Sequence, residues 1–187
     1  MRYRFGLKEL FFVIFGAGLT ALLGNIDIGF TVNSCRVIQP ELIIPAFFAF
    51  VSGPVVGGLI GFIGYVLTRL LSAQEYLWGL AAADMTMGIG IGMFAASFEA
   101  YKGEFTGKKI GLFSVIQTIS NAFAFMLVYP LSEILLHQVS VQTALRIGIA
   151  MFICNTVIIG VVVSILGIIY STFIHIRLRN VKKQKEK

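Results

Sequence analysis

Long apolar runs, broken by charges and by glycine and proline punctuation, divide the chain into six segments at about 8–26, 40–52, 54–71, 76–97, 110–136 and 142–175. An apolar helix needs about 20 residues to cross a bilayer. The pattern therefore predicts an all-α integral membrane protein, a single transmembrane domain over 1–187 with six transmembrane helices. The second segment is short for a crossing and carries Pro45, which predicts a tilted or broken helix enclosed by its neighbours rather than exposed to lipid. Ser52-Gly53-Pro54 predicts a tight reversal into the third segment. The basic start (Arg2, Arg4, Lys8) followed by Leu10 to Leu23 has the outline of a signal peptide. With no small-x-small cleavage site leading into a polar domain, it reads as the first span.

Composition agrees with that reading. Of 187 residues, 57% are hydrophobic and 13% charged, and the mean hydropathy is +0.89. A soluble domain carries about a quarter charged residues. Six helices also leave no length for an ATPase head, a dinucleotide-binding domain or a DNA-binding module. The net charge of +6 would suggest a nucleic-acid partner in a soluble protein, but here the basic residues sit at span ends. Arg2, Arg4 and Lys8 precede the first span, Lys102, Lys108 and Lys109 separate the fourth from the fifth, and Arg177, Arg179, Lys182, Lys183, Lys185 and Lys187 follow the last. Only Arg36, Arg69 and Arg146 fall on the other side. The positive-inside rule then places both termini of this multi-pass membrane protein in the cytoplasm. The C-terminal basic run is read as a topological anchor, with anionic lipid or a partner as the lesser alternative.

The chemistry of an enzyme is missing. There is no P-loop, HExxH, GxSxG or EF-hand pattern, and no nucleophile and base share a segment. His137 and His175 are too far apart for a local metal site, and Cys35 and Cys154 imply neither a metal nor a disulfide framework. No cofactor is expected. Binding, conduction or transport remains.

Small residues recur at helical spacing: Gly16, Ala17, Thr20, Ala21 and Gly24 in the first span, Gly53, Gly57 and Gly61 with Gly58 and Gly64 entering and along the third, and Gly88 and Gly92 in the fourth. In lipid such faces let helices approach closely, and intramolecular packing is their ordinary use. Between them stand Phe50-Val51-Ser52-Gly53-Pro54-Val55-Val56-Gly57-Gly58-Leu59-Ile60-Gly61-Phe62-Ile63-Gly64, and further on Val115-Ile116-Gln117-Thr118-Ile119-Ser120-Asn121-Ala122-Phe123-Ala124 and Tyr129-Pro130-Leu131. Across nearly its whole length the chain resembles the substrate-binding S components of energy-coupling factor (ECF) vitamin transporters, in the group of riboflavin-type and uncharacterised paralogous S components. That resemblance implies a six-helix S-component bundle with substrate bound near the outer face. It implies association with a transmembrane coupling subunit (the T component) and two cytoplasmic ATPases, and transport by toppling of the whole S component. It also implies that the AxxxA face of the first helix, here Ala17 and Ala21, contacts the coupling subunit.

Polar chemistry is concentrated on the outer side, where Asp27, Arg36, Glu41, Arg69, Glu75, Asp84, Glu133, His137 and Arg146 collect, several of them within apolar segments where ionised groups are costly. A pocket needs convergent polar groups in an apolar, aromatic lining. The candidates are Asn33 and Arg36 in the first outer loop, Tyr65 and Arg69 late in the third span, and Tyr76, Trp78 and Asp84 early in the fourth. Tyr129, Glu133 and His137 late in the fifth, and Arg146 and Asn155 in the sixth, complete the set. Asp84 as a mere partner of Arg69 or Arg146, Trp78 as an interfacial belt residue and Arg36 as a solvated loop residue remain open alternatives. Gln117, Asn121 and Asn155 read first as interhelical hydrogen bonders, and Glu133 with His137 as a local pair. Five outer carboxylates against three arginines disfavour a polyanionic substrate. A neutral or weakly cationic ring compound suits them better, and the resemblance offers cobalamin or its precursors, pyridoxine or hydroxymethylpyrimidine, and riboflavin. The rival readings are an autonomous small channel or secondary carrier, and a scaffold subunit with no ligand.

Overall fold

A computed structural model describes residues 6–26, 31–32, 35–73 and 77–185. Two candidate site residues, Asn33 and Tyr76, lie outside the described residues, as do Arg2, Arg4, Asp27, Ser34, Glu75 and Lys187. The described residues are predominantly helical, as the apolar runs predict: α1 (Leu7–Gly24), α2 (Ile43–Ser52), α3 (Pro54–Ser72), α4 (Trp78–Met93), α5 (Gly107–Ala122), α6 (Tyr129–His137) and α7 (Val141–Lys185). In the loop after α1, β1 (Thr31–Val32) pairs antiparallel with β2 (Cys35–Arg36), and a single tight helical turn, Pro40–Leu42, leads into α2.

Four helical segments among the described residues are long and apolar enough to cross a membrane: Leu7–Gly24, Pro54–Ser72, Gly107–His137 and Val141–Val181. The other two expected spans are shorter, 10 residues in α2 and 16 in α4. For α2 the shortness has a packing reason. No residue of α2 is exposed, so its backbone ends meet protein rather than hydrocarbon and need not reach both interfaces. Pro45 falls in the first turn of α2, where a missing N–H costs little.

Glycine sets the spacing of the central helices. Gly53 turns the chain between α2 and α3 at φ 94°, a backbone that residues with a Cβ rarely adopt. In the α3–α4 contact, a Cβ on Gly57 would lie 2.9 Å from the Gly88 carbonyl oxygen, and one on Gly61 would lie 2.6 Å from that of Asp84. Those two backbones touch. Against α1, side chains and glycines alternate: Ile60 fills the space over Gly16, Thr20 that over Gly64 and Thr68 that over Gly24. The small-residue face of α1 is thus spent on α3, the intramolecular use.

Contacts pair 16 with 60, 20 with 64 and 24 with 68, so α1 and α3 run parallel, whereas 57 with 88 and 61 with 84 make α3 and α4 antiparallel. Gly160 meets Gln117, Gly167 meets Phe105, and Gly103 meets His175, so α7 runs against α5. The start of α1 and the end of α7 therefore emerge at one end of the bundle, together with the loop at 94–106. That terminus end is sealed by rings. Phe50 lies 5.3, 4.8 and 5.5 Å from Phe98, Phe105 and Phe113, and all four are buried. The same loop is tied to α7 by a 3.0 Å hydrogen bond donated by Phe105 N–H to Ser171 Oγ.

At the surface of this loop, Glu99 pairs with Lys102 at 3.0 Å and Lys109 at 2.8 Å. Lys109 and then Lys102 hold its carboxyl down to about 2, from an ordinary 4.5. A depressed folded value means that the stabilisation is complete above the ordinary value and is lost as pH falls through the folded one. Wild type is expected to melt slightly above Glu99→Gln at pH 7, and the gap to close between pH 4.5 and about 2. A gap that widens on acidification would contradict the pairing. The effect is small, as for surface pairs generally.

The last helix outruns any membrane. Its 45 residues extend about 68 Å at ~1.5 Å per residue, roughly twice the ~30 Å hydrocarbon thickness. The expected span ends near residue 175, and the basic run after it continues the same helix. Straight-chain residues of high helix propensity, such as Arg177, Leu178, Arg179 and Gln184, account for that continuation.

Candidate functional site

At the end opposite the aromatic seal, ionisable and amide side chains converge from five elements. Arg36, at the end of β2, donates from one guanidinium nitrogen to the backbone carbonyls of Gly24 (2.8 Å) and Ile26 (3.1 Å), and from the other to Glu41 Oε1. It thereby satisfies carbonyls at the end of α1 and ties that end to the turn before α2. Glu41 is 6% exposed, and its second oxygen, Oε2, has no hydrogen-bond partner. Asp84, two turns into α4, is 3% exposed, and its Oδ1 likewise lacks a partner. The charged groups acting on Asp84 are Glu41, Arg69 and Arg36. One turn below Arg69 on α3, Tyr65 accepts from Arg69 Nε at 3.0 Å and from the Leu77 backbone N–H at 3.0 Å, and the guanidinium lies 5.1 Å from its ring. The tyrosine oxygen thus joins the end of α3 to the start of α4.

Asn155 of α7 and Gln39 form a reciprocal pair. Gln39 N–H donates to Asn155 Oδ1 at 3.1 Å, and Asn155 Nδ2 donates to Gln39 Oε1 at 2.9 Å. Both are buried, so the loop before α2 is stitched to the long helix. Asn155→Ala leaves the Gln39 donor and acceptor buried without partners, at a cost of about 1–3 kcal/mol. A melting temperature several degrees lower is the expected result, and an unchanged one would show the pair to be dispensable.

Further round the bundle, Glu133 lies under α4. Its Oε2 is 3.3 Å from His137 Nδ1, one turn on, and its partnerless Oε1 rests where a Cβ on Gly79 would be, 2.8 Å away. Tyr129, one turn before Glu133, is 2% exposed. Both follow a six-residue π-helical stretch, Phe123–Val128, which continues α5 into α6. That widening pushes the Phe125 carbonyl against Gly148 of α7, a contact only glycine admits.

The structure therefore brings Arg36, Tyr65, Arg69, Asp84 and Asn155 into one region and sets Tyr129 beside Glu133 and His137. Trp78 is 50% exposed at the start of α4, and Arg146 stands exposed on α7. Gln39 was not among the sequence candidates, and Glu41 was counted only as an outer charge. The signal for them was present: a glutamine and a glutamate inside Val37-Ile38-Gln39-Pro40-Glu41-Leu42-Ile43-Ile44, an apolar stretch that tolerates polar groups only when they are satisfied or used. Gln117 and Asn121 lie deeper. Asn121 Nδ2 donates to Gln117 O and Oε1 within α5, and Gln117 Nε2 reaches the Thr156 carbonyl of α7 at 3.3 Å.

Ala17 and Ala21 are only 1% and 2% exposed. Beside them, Ile14, Phe15, Gly18, Leu19, Ala21, Leu22, Leu67, Leu70 and Leu71 line an apolar groove of about 500 Å³ between α1 and the end of α3. Of the two alanines, Ala21 lines this groove and Ala17 does not.

A multi-pass helical membrane protein with a polar cluster at one end and a hydrocarbon seal at the other is built for binding within the membrane. The family model for the S component of ECF-type riboflavin transporters matches residues 5–172, and the chain belongs to that family. It is thus the substrate-binding subunit type of a vitamin transporter, and not an enzyme. Similar relatives include UPF0397 proteins of Streptococcus pneumoniae strains CGSP14, P1031 and Hungary19A-6, each 27% identical over 91% of this chain and 93% of the relative. No solved structure matches the chain.

Proposed function

We propose that this chain captures a water-soluble vitamin or vitamin precursor at the outer face and delivers it inward by reorienting as a body against a transmembrane coupling subunit driven by two cytoplasmic ATPases. Both termini and the loop at 94–106 then face the cytoplasm, with six helical segments packed through the membrane. The observation that carries the reading is the asymmetry of the bundle. Polar side chains from β2, the turn before α2, α3, α4 and α7 gather at one end, while Phe50, Phe98, Phe105 and Phe113 close the other. A fixed channel or autonomous carrier needs polar groups through the full thickness, and the aromatic cluster interrupts them. The substrate classes that suit a charge-balanced site are neutral or weakly cationic ring compounds, of the cobalamin, pyridoxine or hydroxymethylpyrimidine, or riboflavin type.

In this reading the partner helix lies in the α1–α3 groove, over Gly18 and Ala21, with Ala17 as buried support. Bulk at Ala17 then acts on α1–α3 packing before it acts on any partner. The test is reconstitution in liposomes. The chain alone is expected to bind a vitamin and to accumulate none, with uptake appearing only when coupling subunit, ATPases and ATP are added. Net uptake by the chain alone would refute the reading and return the secondary carrier to first place.

A further inference from the structure

Among the described residues, the cluster at the outer end holds two positive and two negative side chains, Arg36 and Arg69 against Glu41 and Asp84. Two of its acceptor atoms have no donor. Arg36 is committed to two backbone carbonyls and to Glu41 Oε1. Arg69 Nε and the Leu77 N–H are committed to the Tyr65 oxygen. Glu41 Oε2 and Asp84 Oδ1 are left, each on a residue more than nine-tenths buried and each without a hydrogen-bond partner. Buried carboxylate oxygens that accept nothing are costly and rare in finished folds. A bound molecule that supplies N–H groups removes that cost, so the deficit itself describes the ligand.

We propose that Asp84 and Glu41 form the recognition floor of this site and receive the N–H donors of an amino- or amidine-substituted planar group, neutral or singly cationic. The proposal rests on the binding-subunit reading above and narrows its substrate class. A carboxylate or phosphate group has no place on this floor, because it would face two acids of its own charge. Asp84 is suited to the role by its setting. The close approach of its backbone to Gly61 fixes that turn of α4, so the carboxylate is presented from a rigid helix rather than a loop.

Small probes of one shape and three charges test this: benzamidine, benzamide and benzoate, at millimolar concentration, with the full chain in lipid nanodiscs and thermal unfolding as the readout. Asp84→Asn and Asp84→Leu are compared with wild type. Without probe, both variants are expected to melt at or above the wild-type temperature, since each removes a buried carboxylate oxygen that the empty site leaves without a partner. Benzamidine is expected to stabilise wild type, benzamide less so and benzoate not at all. Its apparent affinity is expected to fall about 10- to 100-fold in Asp84→Asn, the loss that follows removal of one charge-assisted hydrogen bond. Variants that both melt lower, or fail to fold, would show Asp84 to be a structural partner and overturn the proposal. So would stabilisation by benzoate, equal stabilisation of Asp84→Asn by benzamidine, or no response to benzamidine at all. None of these measurements involves the coupling subunit or ATPases. Their failure leaves the importer reading standing, and failure of ATP-driven uptake leaves this result intact.

Discussion

Gly88→Val should sharply lower the stability and the recovery of the folded protein. A Cβ at residue 88 would lie 2.5 Å from the Gly57 carbonyl carbon and 2.9 Å from the Gly58 nitrogen, so it meets main chain that cannot rotate away. The two helices have to separate, and the separation spreads to Gly61 and Asp84 one turn along. Overpacking a well-fitted core costs about 1–3 kcal/mol, and a branched side chain driven into backbone sits at or beyond the top of that range. Against a total stability of about 5–15 kcal/mol the loss is severe. It is measured as the recovery of a monodisperse peak in size-exclusion chromatography and as the melting temperature of what is recovered. Gly111→Ala is the control. No atom lies within 4 Å of its Cβ position in α5, and alanine is the better helix former by up to ~1 kcal/mol, so that variant should be as stable as wild type or slightly more so. Wild-type recovery of Gly88→Val would mean that α3 and α4 are not in backbone contact.

The second large effect concerns transport. Gly18→Trp should abolish ATP-driven uptake in the reconstituted complex while leaving vitamin binding by the isolated chain unchanged. Nothing lies within 4 Å of a Cβ at Gly18, so the substitution enters open space within the α1–α3 groove and disturbs no internal contact. An indole there fills the groove that the proposed partner helix needs. Complex formation, read by co-purification, should fall in parallel with uptake. Uptake at the wild-type rate would show that the partner docks elsewhere. Ala17 makes the opposite comparison: it is buried, and Ala17→Trp is expected to lower stability as well as uptake. A selective loss therefore has to be sought at Gly18.

Much of the architecture was legible from the chain because hydrocarbon imposes strict terms. Every backbone polar group must be satisfied inside its own segment, so apolar runs become helices and the breaks between them become turns. The reversal at Ser52-Gly53-Pro54 and the helix beginning at Pro54 follow from that constraint. The lengths of α4 and α7 do not. The bundle encloses α2, whose residues neighbouring helices rather than lipid cover, and nothing in the local sequence reports which neighbours those are. The helical extent of α7 beyond the span has a related reason. Apolarity declines near residue 175 while helix propensity does not, and outside a membrane propensity decides.

The site was legible in part. Charged and amide residues in apolar surroundings marked Arg36, Arg69, Asp84 and Asn155. Their partners were not marked, since Gln39 and Asn155 stand 116 residues apart and pair only because α7 passes beside the turn before α2. Arg146 illustrates the converse, an arginine that resembles the others in sequence context but sits on a face of α7 turned away from the bundle.

From the order of residues alone came a helical membrane protein, its glycine-lined contacts, the gathering of ionisable groups toward one side and a family likeness, because each depends on local composition and spacing that any placement of the helices must respect. Tertiary structure decided which small face α1 spends on α3, which aromatic rings close the terminus end, and that carboxylate oxygens of Glu41, Asp84 and Glu133 stay without donors. Those outcomes depend on which side chains arrive at the same point from distant parts of the chain, and only the packed bundle determines that.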